Sequence, residues 1–257
     1  MRRSLLLAFA LPLLVVAAPI PKETDAQKLA RLFGTPTDPA KDCKFTLDGD
    51  KLTITAGKGD HDLSVQSKEM NAPRVLKEIE GDFAMKVQVS AKYPKGAKGA
   101  SEKRTIVFYG AGLLVWDDEN NYVRLEKAHV DSLNGNPTYT YGSWELFAGG
   151  EWVRRGTQED FVFDENDTAH FKLSRKGSVF SASISKDGKE WKDLPPIEAE
   201  MGKKLKVGVG AVHICDTGFD AVFDGYEMKA TKIKEEKPEE KKEEKKEEKK
   251  SEGKKDK

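Results

Sequence analysis

Trp116 and the trio Tyr122, Arg124 and Glu126 stand on either side of an acidic, amide-rich stretch, Asp117-Asp118-Glu119-Asn120-Asn121. Flat rings beside a guanidinium and a carboxylate are groups that hold a sugar. C–H faces stack on the rings, and hydroxyls hydrogen-bond to the charges. Further on, Tyr139, Tyr141, Ser143 and Glu145 recur at every second position, so a strand there places all four on one face. The expected ligand site is therefore Trp116, Tyr122, Arg124 and Glu126, extended by Tyr139, Tyr141 and Glu145. An amphipathic sheet face with an Arg–Glu ion pair and packed aromatics accounts for the same residues without any ligand.

Hydrolysis of a glycosidic bond needs two carboxylates about 5–9 Å apart. Acidic residues at alternate positions of one strand would supply them, but neither Glu-x-Asp-x-Glu nor Glu-x-Asp-x-x-Glu occurs. Glu80 and Asp82 begin such a pattern, and Ala84 and Met85 end it. Glu126 with Glu145, or Glu145 with Glu151, could still meet across strands. The histidines (His61, His129, His170, His213) have no HxH or HxxxH partner, and no Cys pair supports zinc, so no metal is expected. The acidic runs 117–121 and 164–167 lack the ligand order of an EF-hand and read as turns. Ser185-x-Asp187-Gly188-x-x-Trp191 reads as a hairpin turn closed by a packed Trp. No GxSxG, Walker-type loop or dinucleotide fingerprint appears, and no cofactor is expected.

These side chains need elements to hold them, and the hydrophobic period is two. Residues 83–89, 170–174, 179–185 and 219–228 alternate apolar and polar. Asp48-Gly49-Asp50 separates two alternating runs and reads as a hairpin turn. Further hairpins are expected across 117–121, across 175–177 and across 186–189. In the hairpin across 117–121, Leu113, Val115, Val123 and Leu125 face the core. Strict alternation then turns Trp116, Tyr122, Arg124 and Glu126 outwards. Short strands separated by Gly and Asp turns, with no amphipathic helix of three turns in the domain, predict an all-β fold. Two antiparallel sheets would pack as a jelly-roll sandwich.

The two ends of the 257-residue chain differ from this body. Met1-Arg2-Arg3 precedes an apolar run over residues 5–18, the pattern of a secretory signal peptide, with cleavage expected after Ala17. Residues 18–41 then form a leader that includes a turn-rich linker and one helical turn near 28–33. The last stretch, 233–257, is nearly all Lys and Glu, with like charges at i,i+4 and no apolar stripe, so it is expected to be disordered. Acidic and basic residues balance at 44 each, which leaves no basic surplus for nucleic acid. The expected location is secreted or periplasmic, with no membrane span after cleavage. Residues 42–232 remain as one domain. Cys43 and Cys215, near its two ends, are expected to form a disulfide in an oxidising compartment, closing a loop that would stabilise by about 4–5 kcal/mol.

Several strings resemble a family of concanavalin-A-like domains of unknown function linked by name to regulation of enolase. They are Ala72-Pro73-Arg74-Val75-Leu76 with Gly81-Asp82-Phe83, and Ala111-Gly112-Leu113-Leu114-Val115-Trp116 with the strand 121–126. The Ser185 to Trp191 turn, Val207-Gly208 with Ala211, and Phe219 with Phe223 follow in the family's order. The leader, Asp38-Pro39 and Asp42-Cys43-Lys44-Phe45, looks like that of exported bacterial members. The resemblance implies a two-sheet jelly roll and supplies no agreed activity. Taken together, the residues point to a non-catalytic binding module for a glycan or other extracellular polymer. Two rivals remain open: a glycoside hydrolase with carboxylates from different strands, and a scaffold that uses the sandwich for protein contacts.

Overall fold

The computed structural model describes residues 23–131, 138–154 and 156–233, without the side chains of 157–160. The expected signal peptide and the Lys/Glu tail after Ile233 lie outside these residues. The period-two segments are strands, and the pairings between them are antiparallel. One sheet runs in the order Glu151–Arg154, Tyr139–Ala148, Asn121–Val130, Phe108–Asp118, Lys204–Cys215 and the first half of Arg74–Lys92. The other runs Lys44–Asp48, Lys51–Ala56, Phe219–Ile233, the second half of Arg74–Lys92, Ala169–Lys176 and Val179–Ser185. The 19-residue strand Arg74–Lys92 therefore serves both sheets. It changes sheet at Gly81, whose φ of +88° suits a residue without Cβ. The Gly81 N–H donates to the Lys203 carbonyl at 2.9 Å, so the bend leaves no orphan donor.

Hairpin registers follow the turn chemistry. Trp116 lies opposite Tyr122, Leu47 opposite Leu52, and Leu173 opposite Ala182. The hairpin across 186–189 is shorter than its sequence suggests: pairing resumes only at Lys192, opposite Ile184. The inner faces of the two sheets bury Leu113, Val115, Val123, Leu125, Phe171 and Phe223, each no more than 1% exposed. Each such side chain contributes about 1.5–3 kcal/mol on leaving water.

The packed unit reaches back beyond residue 42. Helix Asp25–Leu32 opens with a reciprocal cap, in which Gln27 N–H donates to Thr24 Oγ1 and Thr24 N–H donates to the Gln27 side chain. Leu29 and Phe33, four apart on one helical face, enter the core, and Phe33 stacks on Tyr226 at 4.9 Å. Thr35–Thr37 then pairs with Arg74, Val75 and Leu76. The stretch expected to be a leader is thus partly structural, because this short amphipathic segment has apolar side chains to bury.

Candidate functional site

The strands place the predicted site residues on one surface, the outer face of the first sheet. Glu145 pairs with Arg124, Ser143 with Glu126, and Phe147 with Tyr122. The inward–outward alternation is as expected. Leu113, Val115, Val123 and Leu125 belong to the main core, whereas Leu114, Trp116, Tyr122 and Phe147 form a second cluster.

This face is not open, which corrects the expectation of exposed rings. Trp116 is 7% exposed and Tyr122 is fully buried. Residues 59–73 fold back over them, including a small hairpin of Leu63–Ser64 with Glu69–Met70. Leu63, Val65, Met70 and Ala72 pack onto the rings, and Tyr122 Oη donates to the Leu63 carbonyl at 3.0 Å. Trp116 is held between Tyr122, with centroids 5.3 Å apart, and the Arg74 guanidinium, 4.7 Å from the ring. The indole is therefore packed against a ring and a guanidinium rather than presented bare to solvent. Of the expected site residues, Tyr139 alone is substantially exposed; Tyr141, Arg124, Glu126 and Glu145 are buried. The physical reason is simple. An outward Trp–Tyr–Phe row exposes too much apolar area to stay bare, and here the chain covers it with its own loop.

Beneath that cover lies a buried charge cluster. Arg124 donates through Nε to Glu145 Oε2 at 3.0 Å and through Nη2 to the same oxygen. Its contact with Glu126 is looser, at 3.8 Å, and Glu126 Oε1 has no hydrogen-bond partner. Arg124 thus pairs fully with one carboxylate and weakly with the other. Burial pushes the Glu126 carboxyl up to about 7, with Arg124 opposing and Glu145 reinforcing the shift. Glycine makes the space: a Cβ on Gly110 would meet Glu126 Oε2 at 2.8 Å, and one on Gly112 would strike the Leu125 carbonyl. The remaining void, about 10 Å³ between Arg124, Glu126, Leu63 and Gly210, holds at most one water. Two carboxylates flanking one arginine in so small a space cannot admit a glycosidic bond in this state.

An open cleft of about 320 Å³ lies at the other end of the same face. Glu78, Glu80, Asp117, Lys204, Lys206 and Lys232 line it, over Trp116, Ile79 and Leu205. Cross-strand pairing assembles it: Lys206 lies between Trp116 and Glu78, and Lys204 lies opposite Glu80. Lys232 bridges to Glu80 at 3.4 Å, and Asp117 accepts from Gly202 N–H at 2.8 Å. Carboxylates and ammonium groups thus rim an apolar floor, a lining suited to a ligand with many hydroxyls. Trp116 is the one predicted site residue that reaches it.

The expected disulfide is absent; Cys43 and Cys215 are free thiols. Cys215 is buried at the end of its strand and donates to the Thr217 carbonyl at 2.8 Å, while Cys43 Sγ contacts Asp42 Oδ1 at 3.5 Å. Each sulfur is engaged by its own neighbourhood. The acidic turns behave as turns: Asp118 accepts from Asn120 N–H, and Asp167 from Asp164 N–H, both at 2.8 Å. Ser185 and Asp187 hold the following turn through backbone N–H groups, and Trp191 Nε1 donates to Gly188 O.

The polar end of the sandwich interior was not expected. His61, His213, Tyr109, Tyr93 and His129 form a column of neighbouring rings, with successive centroids 4.7, 6.3, 5.4 and 4.4 Å apart. Lys127 is fully buried beside it and donates to the Glu165 and Asp167 carbonyls. A sequence signal existed: His129 and Lys127 share parity with Val123 and Leu125, and His213 with Val209. Parity alone assigns all three to the inner face.

No family model matches this chain, and no curated protein matches it by sequence. Solved structures do resemble it. A functionally unknown protein from Saccharomyces cerevisiae superposes with a TM-score of 0.59 at 14% identity, over 76% of this chain and 95% of that one. A xylan β-1,4-xylosidase from Bacillus halodurans C-125 superposes at 0.51 and 14% identity, over 84% of this chain but only 41% of that one. A carbohydrate-binding module, CBM66 from Bacillus subtilis, aligns at 0.44 and 13% identity over 76% and 95%, too loosely to carry weight. At such identities the likeness concerns architecture: the chain has the all-β, concanavalin-A-like jelly-roll sandwich its sequence predicts.

Proposed function

We propose that this chain is an exported, non-catalytic binding module for a glycan or similar polyhydroxylated polymer, which it takes up in the cleft beside Trp116. The observation that carries the reading is the contrast between two ends of one sheet face. The acidic pair a hydrolase would need, Glu126 and Glu145, is buried on a single arginine. The open end offers three carboxylates and three amines over an apolar floor. Hydroxyl groups accept from ammonium and donate to carboxylate, so such a rim reads a polyol without needing a charged ligand. Export rests on the N-terminal pattern of residues 1–17, and secreted protein beginning at Ala18 would support it.

A glycan-array screen run alongside hydrolysis assays on the same polysaccharides tests the reading. Retention of a defined glycan without release of reducing ends is the expected result. Release of reducing ends would favour the hydrolase, with residues 59–73 opening over Glu126 and Glu145. Failure on every glycan, with capture of a folded protein partner instead, would favour the scaffold.

A further inference from the structure

Asp42 and Cys43 directly precede the strand Lys44–Asp48, and His61 ends the strand Gly59–His61. The chain brings them together although Asp42 and His61 stand 19 positions apart. Asp42 Oδ1 lies 2.8 Å from His61 Nε2 and 3.5 Å from Cys43 Sγ, and one donor atom from each residue lies within 4.8 Å of the others. We propose that Asp42, Cys43 and His61 form a zinc site, with its fourth position open to solvent.

The donor chemistry selects the metal. Calcium and magnesium take oxygen ligands, whereas a thiolate with an imidazole and a carboxylate suits Zn²⁺. In a tetrahedral site with Zn–S of about 2.3 Å and Zn–N and Zn–O of about 2.0–2.2 Å, neighbouring donors stand about 3.3–3.6 Å apart. The present spacings bracket that range. Asp42, which is 43% exposed at its side chain, and the half-buried Cys43 are the ligands that would adjust to it. His61 is already fixed: it is 2% exposed, and its ring lies flat on His213 at 4.7 Å with 9° between planes.

His61 Nδ1 is buried with no hydrogen-bond partner. Nε2 of His61 is the ring nitrogen turned to Asp42 and so the one that would ligate. Burial pushes the Cys43 thiol up to about 12, with Asp38 and Asp42 adding to the shift. A bound dication reverses that effect, since a coordinating thiol loses its proton outright. Zinc would thereby tie the entry of the first sandwich strand to the strand Gly59–His61, from which residues 62–73 lead onto the sheet face.

The test uses the full chain with Co²⁺ as the visible probe and Zn²⁺ as competitor. Wild type should bind one equivalent with a thiolate-to-cobalt charge-transfer band, displaced by zinc. Cys43→Ser should lose the band and bind at least tenfold more weakly. Cys215→Ser should keep both, and the unchanged β spectrum of each variant in the absence of metal shows that the fold survives. Equal affinity in Cys43→Ser, loss of the band in Cys215→Ser, or isolation of the chain with Cys43 and Cys215 bridged would each overturn the proposal.

Discussion

Glu126→Gln isolates the electrostatic state of the buried cluster. In the fold Glu126 holds its proton up to about 7, against an ordinary value of 4.5. Between these limits the folded state binds more protons than the unfolded state. Stability from this group is therefore present at low pH and is lost as pH rises through the window. His213 acts in the opposite sense. Burial and the neighbouring His61 push it down to about 4 from 6.5, so its contribution is present above 6.5 and is lost as pH falls towards 4. The two slopes overlap, and a pH–stability curve of the wild type alone would blur them. The difference between wild type and Glu126→Gln removes His213 and leaves Glu126, because Gln fills the same space without titrating. Urea unfolding followed by Trp fluorescence should show that difference moving in favour of the variant by about 2–3 kcal/mol from about pH 5 to about pH 8, with unchanged m-values. A constant difference would mean that Glu126 is not raised. Movement in favour of the wild type would mean that Arg124 keeps the carboxylate ionised and that the 3.8 Å contact is a full ion pair.

Gly110→Ala should destabilise by about 1–3 kcal/mol in the same assay, since the new methyl must displace the Glu126 carboxylate from a packed site. Tyr122→Phe removes the hydrogen bond to Leu63 O and should cost about 0.5–1.5 kcal/mol. Amide exchange in residues 59–73 should rise in that variant, and unchanged protection there would detach this bond from the cover. Trp116→Ala should destabilise by about 3–5 kcal/mol, as a ring packed between Arg74 and Tyr122 leaves a cavity. An unfolding midpoint equal to that of wild type would return Trp116 to the surface.

Most of the architecture is legible in the chain because alternation is a local property. Leu113 and Val115 against Trp116 and Tyr122 sort onto two faces by parity, and Asp117 to Asn121 fixes the turn between them. What covers a face is not local. Residues 59–73 carry only short alternating runs, and their destination depends on the pairing of Gly59–His61 with the far strand Lys204–Cys215. That is why Trp116 and Tyr122 read as exposed. The charged cleft was missed for the same reason: Glu78, Lys206 and Lys232 come from three strands distant in sequence. Parity sorts Arg124 and Glu145 onto candidate faces, but their pairing depends on the register between the two strands, which the sequence leaves open. The Cys pair misled because compartment and count do not fix where each sulfur points.

Calorimetric titration of the best-retained glycan into wild type and Lys206→Ala decides whether the cleft holds the ligand. Lys206 is exposed on the rim of the cleft, so its removal leaves the core intact. Wild type should bind saturably and the variant at least tenfold more weakly, about 1.4 kcal/mol, with no new reducing ends in either cell. Equal affinities would place the ligand elsewhere, and accumulation of reducing ends would make the protein an enzyme.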